Sequence, residues 1–83
     1  PHNSFMFKVF VGNLDQRTTA DSLRPIFEPF GDLDEIIVAI DPKTKRSRGF
    51  AIVLFRDPLK GQLAIETLTG RKINGRTIII NER

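Results

Sequence analysis

The sequence contains no cysteine, tryptophan or tyrosine, and it has one histidine and one methionine. Without cysteine, neither a disulfide framework nor a thiolate metal site can hold the fold together, and cysteine-dependent catalysis is excluded. The histidine is His2, in a terminal stretch without periodicity that we expect to fray, and no pair of carboxylates is framed by an apolar segment. We therefore predict a protein that is not an enzyme and that uses no metal or cofactor.

Long hydrophobic runs are also lacking, so no membrane span is predicted. No charged-then-apolar leader marks a secretion signal, and we expect a soluble intracellular protein whose compartment (nucleus, cytoplasm or organelle) the sequence does not specify. The 83 residues allow one domain with a modest core, because a domain of this size buries only about 60% of the surface that its unfolded chain exposes.

Charge is distributed unevenly along the chain. Between Asp15 and Asp41, seven acidic residues stand against two arginines, whereas from Lys43 onward ten basic residues stand against three acidic ones. The formal net charge is +3. Such an asymmetry lets one surface attract phosphates while another repels them, which is typical of a nucleic-acid-binding protein.

The first half of the chain predicts a strand followed by a helix. Residues Lys8–Val11 alternate between two faces, as in a strand with one buried side. Thr18 and Asp21 have the spacing of a capping box. The apolar stripe of the helix falls at i, i+3, i+4 and i+7: Leu23, Ile26, Phe27 and Phe30. Because proline lacks a backbone donor, we expect a kink or an irregular end near Pro25 and Pro29.

The second half predicts two strands, a helix and a last strand. The strands are Ile36–Ile40 and Gly49–Phe55, and Asp57–Pro58 supplies an N-cap and a first-turn proline for the helix. The helical stripe consists of Gly61, Ala64, Ile65 and Leu68. Asn74–Gly75 is a tight-turn dipeptide, and Thr77–Ile80 is the predicted last strand.

The order strand, helix, strand, strand, helix, strand predicts an α+β, ferredoxin-like βαββαβ sandwich. Right-handed crossovers place both helices on one face of a four-stranded antiparallel sheet and leave the other face open. We assign residues 1–7 to a partly flexible N-terminal extension and residues 8–83 to the domain.

Strand periodicity predicts which side chains lie on the open face. In the third strand, Ala51, Val53 and Phe55 should face the helices. The open face then carries Lys8 and Phe10 of the first strand and Arg48, Phe50, Ile52 and Leu54 of the third. Two exposed aromatics beside basic residues form a platform on which bases can stack, at about 1–3 kcal/mol per base, while cations neutralise phosphates.

Two motifs on these strands resemble those of RNA recognition motifs. Arg48–Phe55 resembles the eight-residue signature of this family, and Val9–Leu14, which includes Asn13, resembles the six-residue partner motif on the first strand. The resemblance extends over about Lys8–Arg83. It implies that the chain binds single-stranded RNA and serves post-transcriptional RNA processing or regulation.

The resemblance also implies roles for individual residues. Phe10 would stack on one base, Phe50 would pack against sugars between two nucleotides, and Arg48 would pair with a phosphate. Ile52 holds the position of the family's second stacking ring; since an aliphatic side chain lacks a flat π-face, we expect one nucleotide to be held less tightly or less selectively.

The complete predicted RNA-binding set adds the loop between the central strands and the end of the last strand, where the family often contacts RNA. It comprises Lys8, Phe10, Asn13, Lys43, Lys45, Arg46, Arg48, Phe50, Ile52, Leu54, Ile79, Asn81 and Arg83. A solvated loop tip without RNA contacts is the alternative for the loop cations.

The aliphatic character of the open face, which should also carry Ile37 and Ile79, leaves three alternatives. These side chains surround stacked bases, or a segment such as Phe5–Phe7 or a sequence outside this chain covers them, or they contact a protein. A bulge in the second or last strand would exchange the faces. The alternative function is a protein-interaction module that uses the helical face or the aliphatic sheet face.

Overall fold

The computed structural model describes residues 6–31 and 33–83. Within these residues the chain forms two α-helices, a four-stranded sheet and a two-stranded hairpin. The elements are β1 (Phe7–Gly12), α1 (Ala20–Phe27), β2 (Leu33–Ile40), β3 (Ser47–Phe55), α2 (Pro58–Leu68), β4 (Lys72–Ile73), β5 (Arg76–Thr77) and β6 (Ile79–Glu82). None of the helices in this described part is long and apolar enough to cross a membrane.

The four-stranded sheet has the order β2-β3-β1-β6, and all of its neighbouring strands are antiparallel. Fully buried side chains from the sheet and from both helices form one core. The largest of them include Val9, Val11 and Phe55 from the strands and Leu23, Phe27 and Leu68 from the helices. Both helices therefore cover the same face, and the predicted ferredoxin-like fold is confirmed.

Phe7 corrects the predicted start of the first strand. β1 begins at Phe7 rather than at Lys8, and the Phe7 side chain belongs to the core. Its ring packs so closely on α2 that a Cβ on Gly61 would lie 2.2 Å from Phe7 Cδ2. Phe7 therefore cannot cover the open face, as one alternative proposed, while Phe5 lies outside the described residues.

The N-terminus of α1 is capped one residue later than predicted. Thr19 is the N-cap: its hydroxyl accepts from the Ser22 N–H at 3.1 Å, and the Thr19 N–H donates to Ser22 Oγ at 2.9 Å. Thr18 is buried instead, and its hydroxyl has no hydrogen-bond partner among the described residues. The irregular end predicted from the prolines is confirmed, because a 3₁₀ turn at Glu28–Phe30 follows α1.

The end of the chain also differs from the prediction. The Asn74–Gly75 turn, with φ of 52° and 78°, joins β4 to β5. Thr77 therefore belongs to this hairpin, and the last strand of the main sheet is Ile79–Glu82 rather than Thr77–Ile80. β2 and β3 also start earlier than predicted, at Leu33 and Ser47. Irregularities in β2 lie on either side of its centre, so Ile37 still pairs with Ile52.

Candidate nucleic-acid interface

The open face is the surface of the four-stranded sheet that points away from the helices. Strand pairing aligns its side chains in rows, because Phe10 is opposite both Ile52 and Asn81. Lys8 is opposite Leu54 and accepts the Arg83 N–H at its carbonyl oxygen at 2.8 Å. The structure thus brings together seven of the predicted site residues on neighbouring strands: Lys8, Phe10, Phe50, Ile52, Leu54, Ile79 and Asn81.

Phe10 and Phe50 form a stacked aromatic pair on this face. Their ring centroids are 5.9 Å apart and the ring planes differ by 26°. Both side chains are half-buried, so part of each ring is accessible. The pair does not belong to the hydrophobic core, which lies on the other side of the sheet.

Gly12 allows the Phe10 ring to take this position. A Cβ on Gly12 would lie 2.8 Å from Phe10 Cε2 and 3.0 Å from Phe10 Cζ. The Phe10 ring therefore lies over Gly12, which is two residues further along β1, and on the side of Phe50 in β3. Sequence analysis missed this role, because it depends on the direction of the ring and not on strand periodicity.

Backbone contacts fix the start of β3 and therefore the position of Phe50. Gly49 has a φ of 95°, in the left-handed region that favours glycine. Its N–H donates to Ser47 Oγ at 2.9 Å, and its carbonyl oxygen accepts the Leu14 N–H at 2.9 Å. The glycine before Phe50 thus joins β3 to the loop that follows β1.

An aliphatic pocket of about 320 Å³ lies on the open face beside the aromatic pair. It is lined by Lys8, Ile37, Ile52, Leu54 and Arg83. Leu54 is only 7% exposed although it points away from the core, whereas Ile37 is 46% exposed. The predicted position of Ile37 on the open face is therefore confirmed, and strand pairing places it opposite Ile52.

The basic loop, residues 43–46, connects β2 to β3 and is held by Asp41. The Asp41 carboxylate accepts the N–H groups of Lys43 at 2.7 Å and Thr44 at 3.2 Å, and its carbonyl oxygen accepts the Lys45 N–H at 2.8 Å. Arg46 Nη1 donates to Gln16 Oε1 at 3.0 Å. The side chains of all three predicted cations are exposed.

A polar cleft at the same end of the sheet brings together three arginines. Arg46 and Arg48 line it with Arg76 of β5, and two carboxylates, Asp15 and Asp41, also belong to its walls. The Arg17 side chain donates to the Asp15 carboxylate, which lowers the pKa of Asp15. Arg76 was not predicted as a site residue, since only the fold brings it to this cleft.

Asn13 joins the end of β1 to the β4–β5 hairpin. Its Nδ2 donates to the Thr77 carbonyl oxygen at 2.8 Å, and its Oδ1 accepts from Arg76 Nη2. Arg76 Nε also donates to the Asn13 carbonyl oxygen at 3.0 Å. The side-chain amide that sequence analysis assigned to RNA therefore has partners within the chain, and it positions Arg76.

The fold that carries the aromatic pair and the basic loop has counterparts among known proteins. A family model for the RNA recognition motif matches residues 9–79. The chain belongs to the RNA recognition motif family. Among curated proteins, this RNA recognition motif is 40% identical over 76 residues to a glycine-rich RNA-binding protein of Daucus carota, covering 92% of the chain and 48% of the relative.

Other relatives agree with this assignment. Glycine-rich RNA-binding protein 1 of Mycosarcoma maydis is 43% identical over 74 residues, which cover 89% of the chain and 42% of the relative. The chain thus spans about half the length of these curated relatives. The first two RRM domains of the yeast poly(U)-binding protein superpose with a TM-score of 0.90 at 30% identity, covering 99% of this chain and 50% of that one. The Sxl-lethal protein/RNA complex gives a TM-score of 0.85 at 27% identity, over 92% and 47% of the two chains.

Proposed function

We propose that this domain binds single-stranded RNA across its open face and takes part in post-transcriptional RNA processing or regulation. The observation that carries the proposal is the accessible Phe10–Phe50 pair, with centroids 5.9 Å apart, on the sheet face opposite the core. Aromatic rings accept nucleobases at about 1–3 kcal/mol per base, and every base has a π-face. The names of the relatives, which are RNA-binding proteins, support the same function.

The cations around this pair fit the charge of RNA. Lys8 and Arg83 lie at the end of the face remote from the basic loop, while Arg46 and Arg48 line the cleft near Phe50. Contacts to phosphates position a nucleic acid and supply affinity that falls with salt. A strand of RNA that crosses the aromatic pair would therefore meet cations on either side of it.

No chemical step is part of this proposal, which assigns the domain a binding role without a cofactor. An intracellular site of action is included, because RNA is its partner and because one relative, 42% identical over 74 residues, is a mitochondrial RNA-binding protein of Arabidopsis thaliana. For the whole protein, the proposal states that this domain binds it to RNA.

Fluorescence anisotropy with a labelled oligouridine hexamer tests the proposal. Phe10→Ala and Phe50→Ala should each weaken binding by about 1–3 kcal/mol, because each removes a stacking surface. Leu63→Ala is the matched control, since it truncates an apolar side chain that is 49% exposed on α2, away from the open face. Unchanged affinity in both phenylalanine variants would exclude the sheet face as the RNA site.

A protein contact through α2 is the second candidate function. Leu59 and Leu63 are 72% and 49% exposed, and their i, i+4 spacing places them side by side on the helix surface. Adjacent exposed leucines are a feature of surfaces that bind other proteins. A protein contact at this surface predicts that Leu63→Ala leaves oligouridine affinity unchanged, because the leucines lie away from the open face. Loss of RNA affinity in Leu63→Ala would contradict this assignment.

A further inference from the structure

We propose that the aliphatic pocket is a base subsite that selects a base with a carbonyl oxygen at position 4 of a pyrimidine or position 6 of a purine, as in uracil or guanine, over a base with an amino group at that position, as in cytosine or adenine. This inference rests on the proposed RNA binding and specifies which bases one part of the open face accepts. It concerns a place separate from the aromatic pair, because neither Phe10 nor Phe50 lines the pocket.

The direction of the Phe10 ring leaves the pocket open. The ring lies over Gly12, with Phe10 Cε2 only 2.8 Å from the place of a Gly12 Cβ, and it stacks on Phe50. Ile52, which pairs with Phe10, has a shorter side chain than an aromatic residue. Among the described residues, no ring therefore fills the space between Ile52 and Leu54. A second base can therefore lie beside the aromatic pair and against aliphatic side chains.

The pocket has an apolar lining suited to the faces of a base. Three of its five lining residues are aliphatic, from β2 and β3, and its volume of about 320 Å³ is at the lower end of the range for small-ligand sites, about 300–1,000 Å³. Contact with these side chains removes apolar surface from water but does not distinguish one base from another. Selectivity must therefore come from the polar residues of the lining.

The two polar residues of the lining are both cations. Lys8 lies on β1 and Arg83 directly follows β6, and the two are held side by side by the 2.8 Å hydrogen bond from the Arg83 N–H to the Lys8 carbonyl oxygen. Ammonium and guanidinium groups donate hydrogen bonds and accept none. O4 of uracil or O6 of guanine can accept from them, whereas the amino group that cytosine or adenine carries at the same position loses its hydrogen bond to water and gains no partner.

A walk of single substitutions through an oligouridine hexamer tests this selectivity. Replacing one uridine by cytidine exchanges the carbonyl at position 4 for an amino group and the adjacent N3–H donor for an acceptor nitrogen, while the size and shape of the ring stay nearly the same. We expect one position of the hexamer to lose affinity by about tenfold when it is changed, as for a base contact of about 1.4 kcal/mol. At that position inosine should bind more tightly than adenosine, because these two purines differ by the same exchange.

The double variant Lys8→Met and Arg83→Met should reduce the preference at that position to less than about twofold. Methionine keeps an unbranched apolar stem and removes the donors. Lys43→Met is the matched control, because this exposed lysine of the basic loop does not line the pocket and should weaken all the hexamers equally. Thermal unfolding of each variant verifies that the fold is retained.

Two results would overturn the inference. The first is a wild-type domain that binds every cytidine-substituted hexamer as tightly as oligouridine. The second is a preference that persists in the double variant while affinity falls equally for all hexamers, which would make Lys8 and Arg83 phosphate contacts. Failure of the wild-type domain to bind any hexamer would instead overturn the proposed RNA binding itself. The inosine and adenosine comparison uses the wild-type domain and does not depend on the folding of a variant.

Discussion

Replacing Gly12 by alanine would test whether RNA binding depends on the position of the Phe10 ring. The new Cβ would lie 2.8 Å from Phe10 Cε2, and ordinary contacts begin at 3.4 Å, so the ring must retreat by about 0.6 Å or change rotamer. Gly12 does not have a positive φ, unlike Gly31 and Gly49, and its backbone therefore accepts alanine. The substitution should displace one ring and leave the sheet intact.

The expected cost follows from the contact that is disturbed. A full loss of stacking on one base costs about 1–3 kcal/mol, and a displaced ring should lose part of this, about 1 kcal/mol or a fivefold rise in Kd. Anisotropy titration with labelled oligouridine measures the change in Kd. The midpoint of thermal unfolding should stay close to that of the wild type, because the substitution lies outside the core.

A double-mutant cycle identifies the cause of the loss. In the Phe10→Ala background there is no ring over Gly12, so Gly12→Ala should cost nothing further. The same loss in both backgrounds would refute the reasoning, because the methyl group would then act on RNA directly or on the strand. Full wild-type affinity in the single variant would show that the ring does not need its present position.

Three other substitutions test separate parts of the domain. Ile52→Phe should tighten oligouridine binding, because it adds a stacking ring, and it should lower the preference for uridine over cytidine by filling the aliphatic pocket; unchanged affinity would mean that a base cannot reach this position. Gly61→Ala should destabilise the fold by about 1–2 kcal/mol, because overpacking against Phe7 outweighs a better helix propensity; the thermal midpoint measures it, and an unchanged midpoint contradicts the packing described. Replacing the three cations of the basic loop by alanine should weaken different RNAs similarly and should flatten the log-log salt dependence by about 0.7 per lost contact. A changed base preference with an unchanged salt slope would mean that the loop contacts bases.

The faces of the sheet could be predicted because side chains alternate along a strand. Phe10, Phe50 and Ile52 could be assigned to the open face from the positions of their strands alone, and the structure adds that Phe10 is opposite Ile52. Irregularities in β2 did not exchange the faces, because they flank the segment around Ile37 that pairs regularly with β3.

The N-cap of α1 and the start of the last strand were not predicted correctly, because neighbouring residues of similar type could each have taken these positions. Thr18 and Thr19 can both cap a helix, and burial of Thr18 leaves Thr19 as the residue whose extended backbone allows capping. Thr77–Ile80 is a uniform β-branched run, but the tight turn at Asn74–Gly75 pairs Thr77 with Lys72. The last strand therefore starts only where the chain meets β1.

The site residues that sequence analysis missed act through contacts between segments distant in the chain. Arg76 reaches the polar cleft because Asn13, 63 residues earlier, accepts its guanidinium hydrogen bonds. The motif that contains Asn13 indicated a functional residue but not the partner of its side chain. Distances between loops, which no local pattern contains, were needed to assign Asn13 a positioning role.

The aromatic pair, the basic loop and the aliphatic pocket have different physical properties, and this difference bears on how an RNA sequence could be selected. The Phe10–Phe50 pair offers π-faces, which stack on any base and so give affinity with little selectivity. In the proposed function the cations of the basic loop contact phosphates, which are the same in every sequence. The aliphatic pocket has few polar groups, and those are donors only, so it alone among these three surfaces favours one chemical class of base. Because Ile52 has no aromatic ring, stacking at this position is weaker. The pocket beside it is then a site where hydrogen bonding, rather than stacking, decides which base is bound.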